Sequence, residues 1–285
     1  MTATAVSLAA LSCGPGALAQ EAFRIGLVAL PGEDASVEGL AGIKAAYSAA
    51  LGMPVEVMVA RDYAALAEAQ IAGRIDYAAY SAPAFAAASL RCGCVVPVAA
   101  PVDADGSVGL RSVLIVRPGF EEGSGRLAVG PADSLATRLA PLAASDEARA
   151  AAASGRLVET ASAAEAEALF LSGKVDGFFG WTPARAENAT EPPPGGTPAR
   201  LAASGLDPSA WRIAWRSDTL RYGPHAVRSD IAPGRVEKLA GLLESVAPGE
   251  AGPGRQIMRG HDRFAAVSPA DYRAVLDAVA ALGAR

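Results

Sequence analysis

The stretch "PVEVMVARDYAALAEAQIAGRIDYAAYSAPAFAAAS", Pro54–Ser89, decides the fold class. "PVEVMVA" is a β run. "YAALAEAQIAG" has helical composition, with Asp62 placed to cap its first turn and Gly73 to end it. "IDYAAYS" is a second β run, and a further helix starts near Ala82-Pro83. Strand, helix, strand, helix in this order predicts parallel strands joined by right-handed helical crossovers, with helices covering both faces of a sheet.

The same alternation extends to either side. Upstream, "FRIGLVAL" from Phe23 reads as a strand and "VEGLAGIKAAYSAAL" as a helix. Downstream, "CVVPVAAPV" passes through the turn residues "DADGS" into the strand-like "VGLRSVLIVRPG". A second α/β series follows: strand "RLAVG", helix from Ser134, strand "RLVET", helix "SAAEAEALFLSG" and strand "KVDGFFG". The Pro- and Gly-rich 183–200 stretch reads as an exposed loop that contains the triplet Asn188-Ala189-Thr190. "WRIAWRS" and "GPHAVRSD" read as strands, and helices near 233–246 and 268–282 close the chain. In the last of these, Tyr272, Val275, Leu276, Val279 and Leu282 share one face, as in a surface helix packed on a core. Two lobes result, with the C-terminal portion returning to the first.

Composition narrows the function. At 285 residues, 51% hydrophobic and 19% charged, the chain is long enough for two cores and unlike a disordered protein. A net charge of −5 argues against partners such as nucleic acid or anionic lipid, because an acidic surface repels both. Residues 1–19 are uncharged and end in Ala17-Leu18-Ala19, the small-x-small pattern of a signal peptide, although no Lys or Arg precedes the apolar run. Export to the periplasm is the expectation. Cys13, in "ALSC", resembles a lipoprotein acylation site only loosely, and anchoring there is not expected. Cys92 and Cys94, in "RCGC", read as half-buried thiols, free or paired with strain, because bridging residues two apart departs from usual Cα separations. With only His225 and His261 and no second cysteine pair, a metal site is not expected.

Three stretches, "FRIGLVALPGED", "VARDYAALAEAQIAGRIDYAAYSAPA" and "DADGSVGLRSVLIVRPG", resemble in order and spacing the phosphate/phosphite/phosphonate-binding proteins of ABC importers. The resemblance covers roughly residues 22 to 265. It implies a two-lobed α/β fold of the type II periplasmic binding protein class. Two hinge strands near 103–112 and 216–226 would join the lobes around a ligand cleft. The lobes would comprise residues 20–107 with 216–285, and residues 108–215. It further implies a monomer that captures a small oxyanion by hinge closure, presents it to a membrane permease, and needs neither catalysis nor a cofactor.

In that family an anion is held by hydroxyls and backbone N–H groups where helices begin. Unpaired donors converge there and the helix dipole adds partial positive charge. "RDYAAL", "YSAPA" and "ADSLAT" offer three such corners. Tyr63 matches a ligand-reaching tyrosine, or else packs beside its helix. Tyr80 and Ser81 stand at the carboxyl end of a strand, where ligands of open α/β sheets gather, although Ser81 as a plain cap would look the same. The third corner departs from the family's Ser-Thr-Ser-Gly run: here it reads Ser134-Leu135-Ala136-Thr137, with two hydroxyl positions replaced. Arg111 is a candidate to compensate, since a guanidinium clasps two oxygens of one anion, but it also reads as an exposed strand arginine. Leu110 precedes it where the family often carries a tyrosine. Acids that meet the ammonium of aminoalkylphosphonates in the family fall here on Pro183 and Gly223, so a ligand without an amine is expected. Trp181 and Tyr222, beside them, are candidates to pack on an apolar or cationic part of a ligand.

Two other classes of function fit the sequence less well. No G-x-S-x-G, G-x-x-x-x-G-K, G-x-G-x-x-G at a helix start or H-E-x-x-H occurs, so an enzyme is disfavoured. The same fold serving as a sensory or accessory binding module for another solute is the nearer alternative.

Overall fold

A computed structural model describes residues 21–28, 37–185, 195–246, 257 and 261–283. The first nineteen residues with Cys13, and the Asn188 triplet, lie outside the described residues.

Two six-stranded sheets organise the chain. The first is built from β1 (Phe23–Val28), β2 (Val55–Ala60), β3 (Tyr77–Ala79), β4 (Val95–Val102), β11 (His225–Arg228) and β12 (Arg263–Ala266), in the order β12-β4-β11-β3-β1-β2. The second holds β5 (Ser107–Val116), β6 (Leu127–Val129), β7 (Leu157–Glu159), β8 (Gly177–Arg185) and β10 (Leu220–Arg221), in the order β10-β5-β8-β6-β7, with β9 (Arg212–Arg216) also paired to β5. The chain crosses from one sheet to the other between β4 and β5 and back between β10 and β11.

The crossover units are parallel, as the alternation predicts: β1 with β2 and β3, and β6 with β7 and β8. The returning strands are not. β11 inserts antiparallel between β3 and β4, β12 runs antiparallel along β4, and β5 runs antiparallel to β8, β9 and β10. Both sheets are therefore mixed, because the returning strands pair outside the crossover units. β12 has no alternating pattern of its own in the sequence and enters the sheet only through its pairing with β4.

Period-two alternation sends neighbouring strand residues into different layers. Tyr77 and Val227 face α1 (Val37–Leu51) and α8 (Pro233–Ser245), beside Ile25, Tyr47 and Leu239. Ala78 and Ala226 face α2 (Tyr63–Ile71) and α3 (Ala82–Cys92), with Leu66 and Phe85. This second layer also takes in Ala136, Leu139 and Ala140, from a π-helical turn (Leu135–Leu139) that runs into α4 (Ala140–Ala144), and Tyr272, Val275 and Ala278. Tyr272 closes a 3-10 turn (Pro269–Tyr272), and the other two lie on α9 (Arg273–Gly283). The last helix thus packs against elements of both lobes. Around the second sheet, α5 (Asp146–Ala153) with α4 covers one face, and α6 (Ala163–Leu171) with α7 (Gly196–Ala203) the other.

Two local expectations are corrected. The 183–200 stretch is a single loop neither at its start nor at its end: β8 continues to Arg185, and α7 begins at Gly196 with Thr197 and Leu201 buried. Thr197 Oγ1 accepts the Trp181 N–H at 3.0 Å, which ties this helix to β8 in a way that local composition does not show. Cys92 and Cys94 form a disulfide, and their Cα atoms are 5.0 Å apart, inside the usual range. Gly93 between them adopts φ 61°, a left-handed helix end open to glycine at little steric cost, and this turns the two thiols toward each other.

Candidate functional site

Two of the three predicted corners meet. Asp62 caps α2 by accepting the Ala65 N–H at 2.7 Å, so Tyr63 becomes the first residue of that helix. Ser81 caps α3, accepting from Ala84 N at 3.4 Å, and stands at the carboxyl end of β3. Tyr63 and Ser81 line two adjoining cavities. One, of about 210 Å³, is walled by Tyr80, Pro101, Tyr222, His225 and His261. The other, of about 470 Å³, reaches across to Asp133 and Leu139 of the second lobe. The starts of α2 and α3 thus face the gap between lobes.

The remaining candidates are placed as follows. Tyr80 lines the smaller cavity, is 5% exposed, and its hydroxyl is engaged, donating to Gln70 Oε1 at 2.8 Å. Burial raises its hydroxyl pKa and keeps it protonated. Tyr222 donates from its hydroxyl to Asp103 Oδ2 at 2.6 Å; burial, and then this carboxylate, raise its pKa as well. Ser134 caps the π-helical turn, and its Oγ lies 2.6 Å from Thr137 Oγ1. Thr137 is buried against Gly130, where a Cβ would stand 2.0 Å from its Oγ1; this glycine lets the hydroxyl approach the end of β6. Ser134 and Thr137 line neither cavity; Asp133, next in the chain to Ser134, and Leu139 line the inter-lobe one.

Trp181 packs against the inter-lobe core with the Arg200 guanidinium 5.2 Å from its ring centroid, and it lines neither cavity. Arg111 is not brought to the corners. Its neighbour Leu110 packs on the inter-lobe core, so strand alternation directs Arg111 to the opposite side, into a groove of about 720 Å³ with Arg185, Arg221 and Arg273. Pro183 pairs with Leu110 across the sheet. Gly223 stacks on the Tyr80 backbone, which leaves no volume for an acid.

His225, His261 and Asp103 were missed as site residues. His225 is 5% exposed and its Nδ1 is hydrogen-bonded to the Tyr77 hydroxyl, which also meets Tyr47 Oη at 2.7 Å. His261 Nδ1 donates to Asp103 Oδ1 at 2.7 Å. The one signal available was the rarity of histidine, two in the chain. Among the described residues no cluster of metal-ligating side chains occurs, and no helix is long and apolar enough to cross a membrane.

Comparison with known proteins agrees with this architecture. Among solved structures, XAC2383 from Xanthomonas citri, bound to ATP, aligns at 14% identity over 92% of this chain and 97% of that one, with a TM-score of 0.56. PhnD1 from Prochlorococcus marinus, in complex with methylphosphonate, aligns at 14% identity over 92% and 98%, with a TM-score of 0.50. At such identities the likeness establishes the fold, that of two-lobed type II periplasmic binding proteins. No curated protein matches the chain. The family described as "ABC transporter, phosphonate, periplasmic substrate-binding protein" matches residues 26–272. Matched over most of its length, and folded into two lobes whose helix starts face the gap between them, the chain belongs to this family of ABC-importer substrate-binding proteins.

Proposed function

We propose that the protein captures a small oxyanion without an amine, of phosphonate or phosphite type, and presents it to the permease. One observation carries the reading: Tyr63 and Ser81, at the starts of α2 and α3, share a cavity with Asp133 and Leu139 of the opposite lobe. Ligand there would be gripped by donors from α2 and α3, with Ser134 and Thr137 completing the grip as the lobes close. Tyr80 and Tyr222 would shape the wall through their rings. Arg111 and Trp181 take no part in this grip. The lobes divide where the chain passes between sheets, at residues 103–106 and 222–224, so the second division falls after β10 rather than near 216. The protein acts by binding alone, as a periplasmic monomer freed from a leader cut after Ala19.

Leu135 and Ala136 in place of hydroxyls weaken the grip. A hydrogen bond to a charged group is worth about 1.5–3 kcal/mol, so this protein should bind a bare phosphonate less tightly than a chain with all the hydroxyls, unless another donor substitutes.

A thermal-shift panel tests the reading, using phosphate, phosphite, methylphosphonate, aminoethylphosphonate, sulfonates and small organic cations. A ligand at a hundred times its Kd adds about 2.7 kcal/mol to stability, a visible rise in Tm. Phosphite or methylphosphonate should give the largest rise. A larger response to aminoethylphosphonate overturns the no-amine argument, and no response to any oxyanion overturns the reading.

A further inference from the structure

The smaller cavity has an unusual wall for an anion pocket: among its described residues there is no lysine or arginine. The hydroxyls of Tyr80 and Tyr222 are already spent on Gln70 and Asp103. Only the two histidines of that wall can carry positive charge. His225 is buried and engaged at Nδ1 by Tyr77. His261 differs. Its side chain is 29% exposed, and its ring packs 5.2 Å from that of Tyr222. Its Nδ1 carries the proton that Asp103 Oδ1 accepts, because a carboxylate can only accept. Asp103 therefore holds both Tyr222 and His261, one on each oxygen, and fixes the ring so that Nε2 is the nitrogen left over. Nε2 makes no hydrogen bond among the described residues.

We infer that His261 is a ligand-contacting residue whose Nε2–H donates to the captured oxyanion, with Asp103 and Tyr222 as the residues that position it. This rests on the oxyanion reading and supplies the donor missing at Leu135 and Ala136. Only the imidazolium has two N–H donors; the neutral ring with Nδ1–H presents a lone pair at Nε2 and repels an anion. Binding is therefore linked to one proton. Donation from Nε2 therefore needs the doubly protonated ring. The titratable and charged groups around the ring are Asp103 and Asp105 before β5, Tyr222 after β10, Tyr63, Tyr80 and His225 in the cavity wall, and Asp262 and Arg263 at β12.

The test is calorimetric titration of methylphosphonate, phosphite and methanesulfonate into wild type, His261→Gln and Asp103→Asn, at about pH 5.5 and about pH 8.5, on either side of the imidazole range. The phosphorus acids themselves titrate, so the reading is the affinity ratio of wild type to variant at each pH. His261→Gln should weaken binding about tenfold or more at the lower pH and about twofold or less at the higher. Asp103→Asn should lose part of the low-pH advantage. If His261→Gln fails to fold, Asp103→Asn and the wild-type imidazole NMR signals carry the test. The chain holds two histidines, and the ring signals of one of them should shift on ligand addition. Equal binding by wild type and both variants at both pH values, or unmoved imidazole signals, overturns the inference and leaves the oxyanion reading standing. No binding of any of the three anions by wild type overturns both.

Discussion

Gly223 lies directly against the carbonyl oxygen of Tyr80: a Cβ at position 223 would stand 2.0 Å from that oxygen and 2.8 Å from the Cα of Ser81. The Tyr80 N–H in turn donates to Pro224 O at 3.0 Å. The return segment between the sheets is thus seated on the backbone of the ligand corner, and a side chain at 223 would push them apart.

Gly223→Asp, which places an acid where aminoalkylphosphonate binders carry one, should therefore fail as a specificity switch. Overpacking of this kind costs about 1–3 kcal/mol, read as a fall in denaturant midpoint. No response to aminoethylphosphonate should appear. An unchanged midpoint would show that the two backbones are not in contact.

Ser134→Ala removes the cap of the π-helical turn and the partner of Thr137 Oγ1. The ligand-free protein should lose about 1 kcal/mol, the usual worth of such a cap. The thermal shift given by phosphite or methylphosphonate should vanish. Retention of the full shift would remove Ser134 from the grip.

Arg111→Ala should leave methylphosphonate affinity within about twofold, because its side chain occupies the groove beside Arg221 and Arg273 and has no shared partner with the cavity wall. A loss of about tenfold, or 1.4 kcal/mol, would mean that the guanidinium reaches the anion.

Reduction of the Cys92–Cys94 bridge, or a Cys92→Ser/Cys94→Ser double variant, should cost only about 1.5 kcal/mol, since the ring closes over three residues and constrains little unfolded chain. Melting with and without reductant measures this. The double variant should melt at the same temperature in both.

What the sequence determined is local in origin. Asp62 and Ser81 lie one residue ahead of their helices and bond to amides three residues on, so capping and alternation were legible in "PVEVMVARDYAALAEAQIAGRIDYAAYSAPA" without any distant contact. Gly93 marks a helix end by the same logic, but nothing local in "RCGC" decides that its two thiols bridge. The corners of Tyr63 and Ser81 were recognisable because both stand at such local junctions.

Tertiary structure decided the rest. Arg111 and Leu110 are adjacent in the chain, and only the layer that each side of β5 faces determines which one meets the inter-lobe core. Asp103 and His261 are 158 residues apart and join only because β12 runs antiparallel along β4 and brings His261, just before it, beside the turn that follows β4. No periodicity encodes such a meeting: hydrogen bonding between strands brings distant segments into register, and the chemistry of the cavity wall is set by that register.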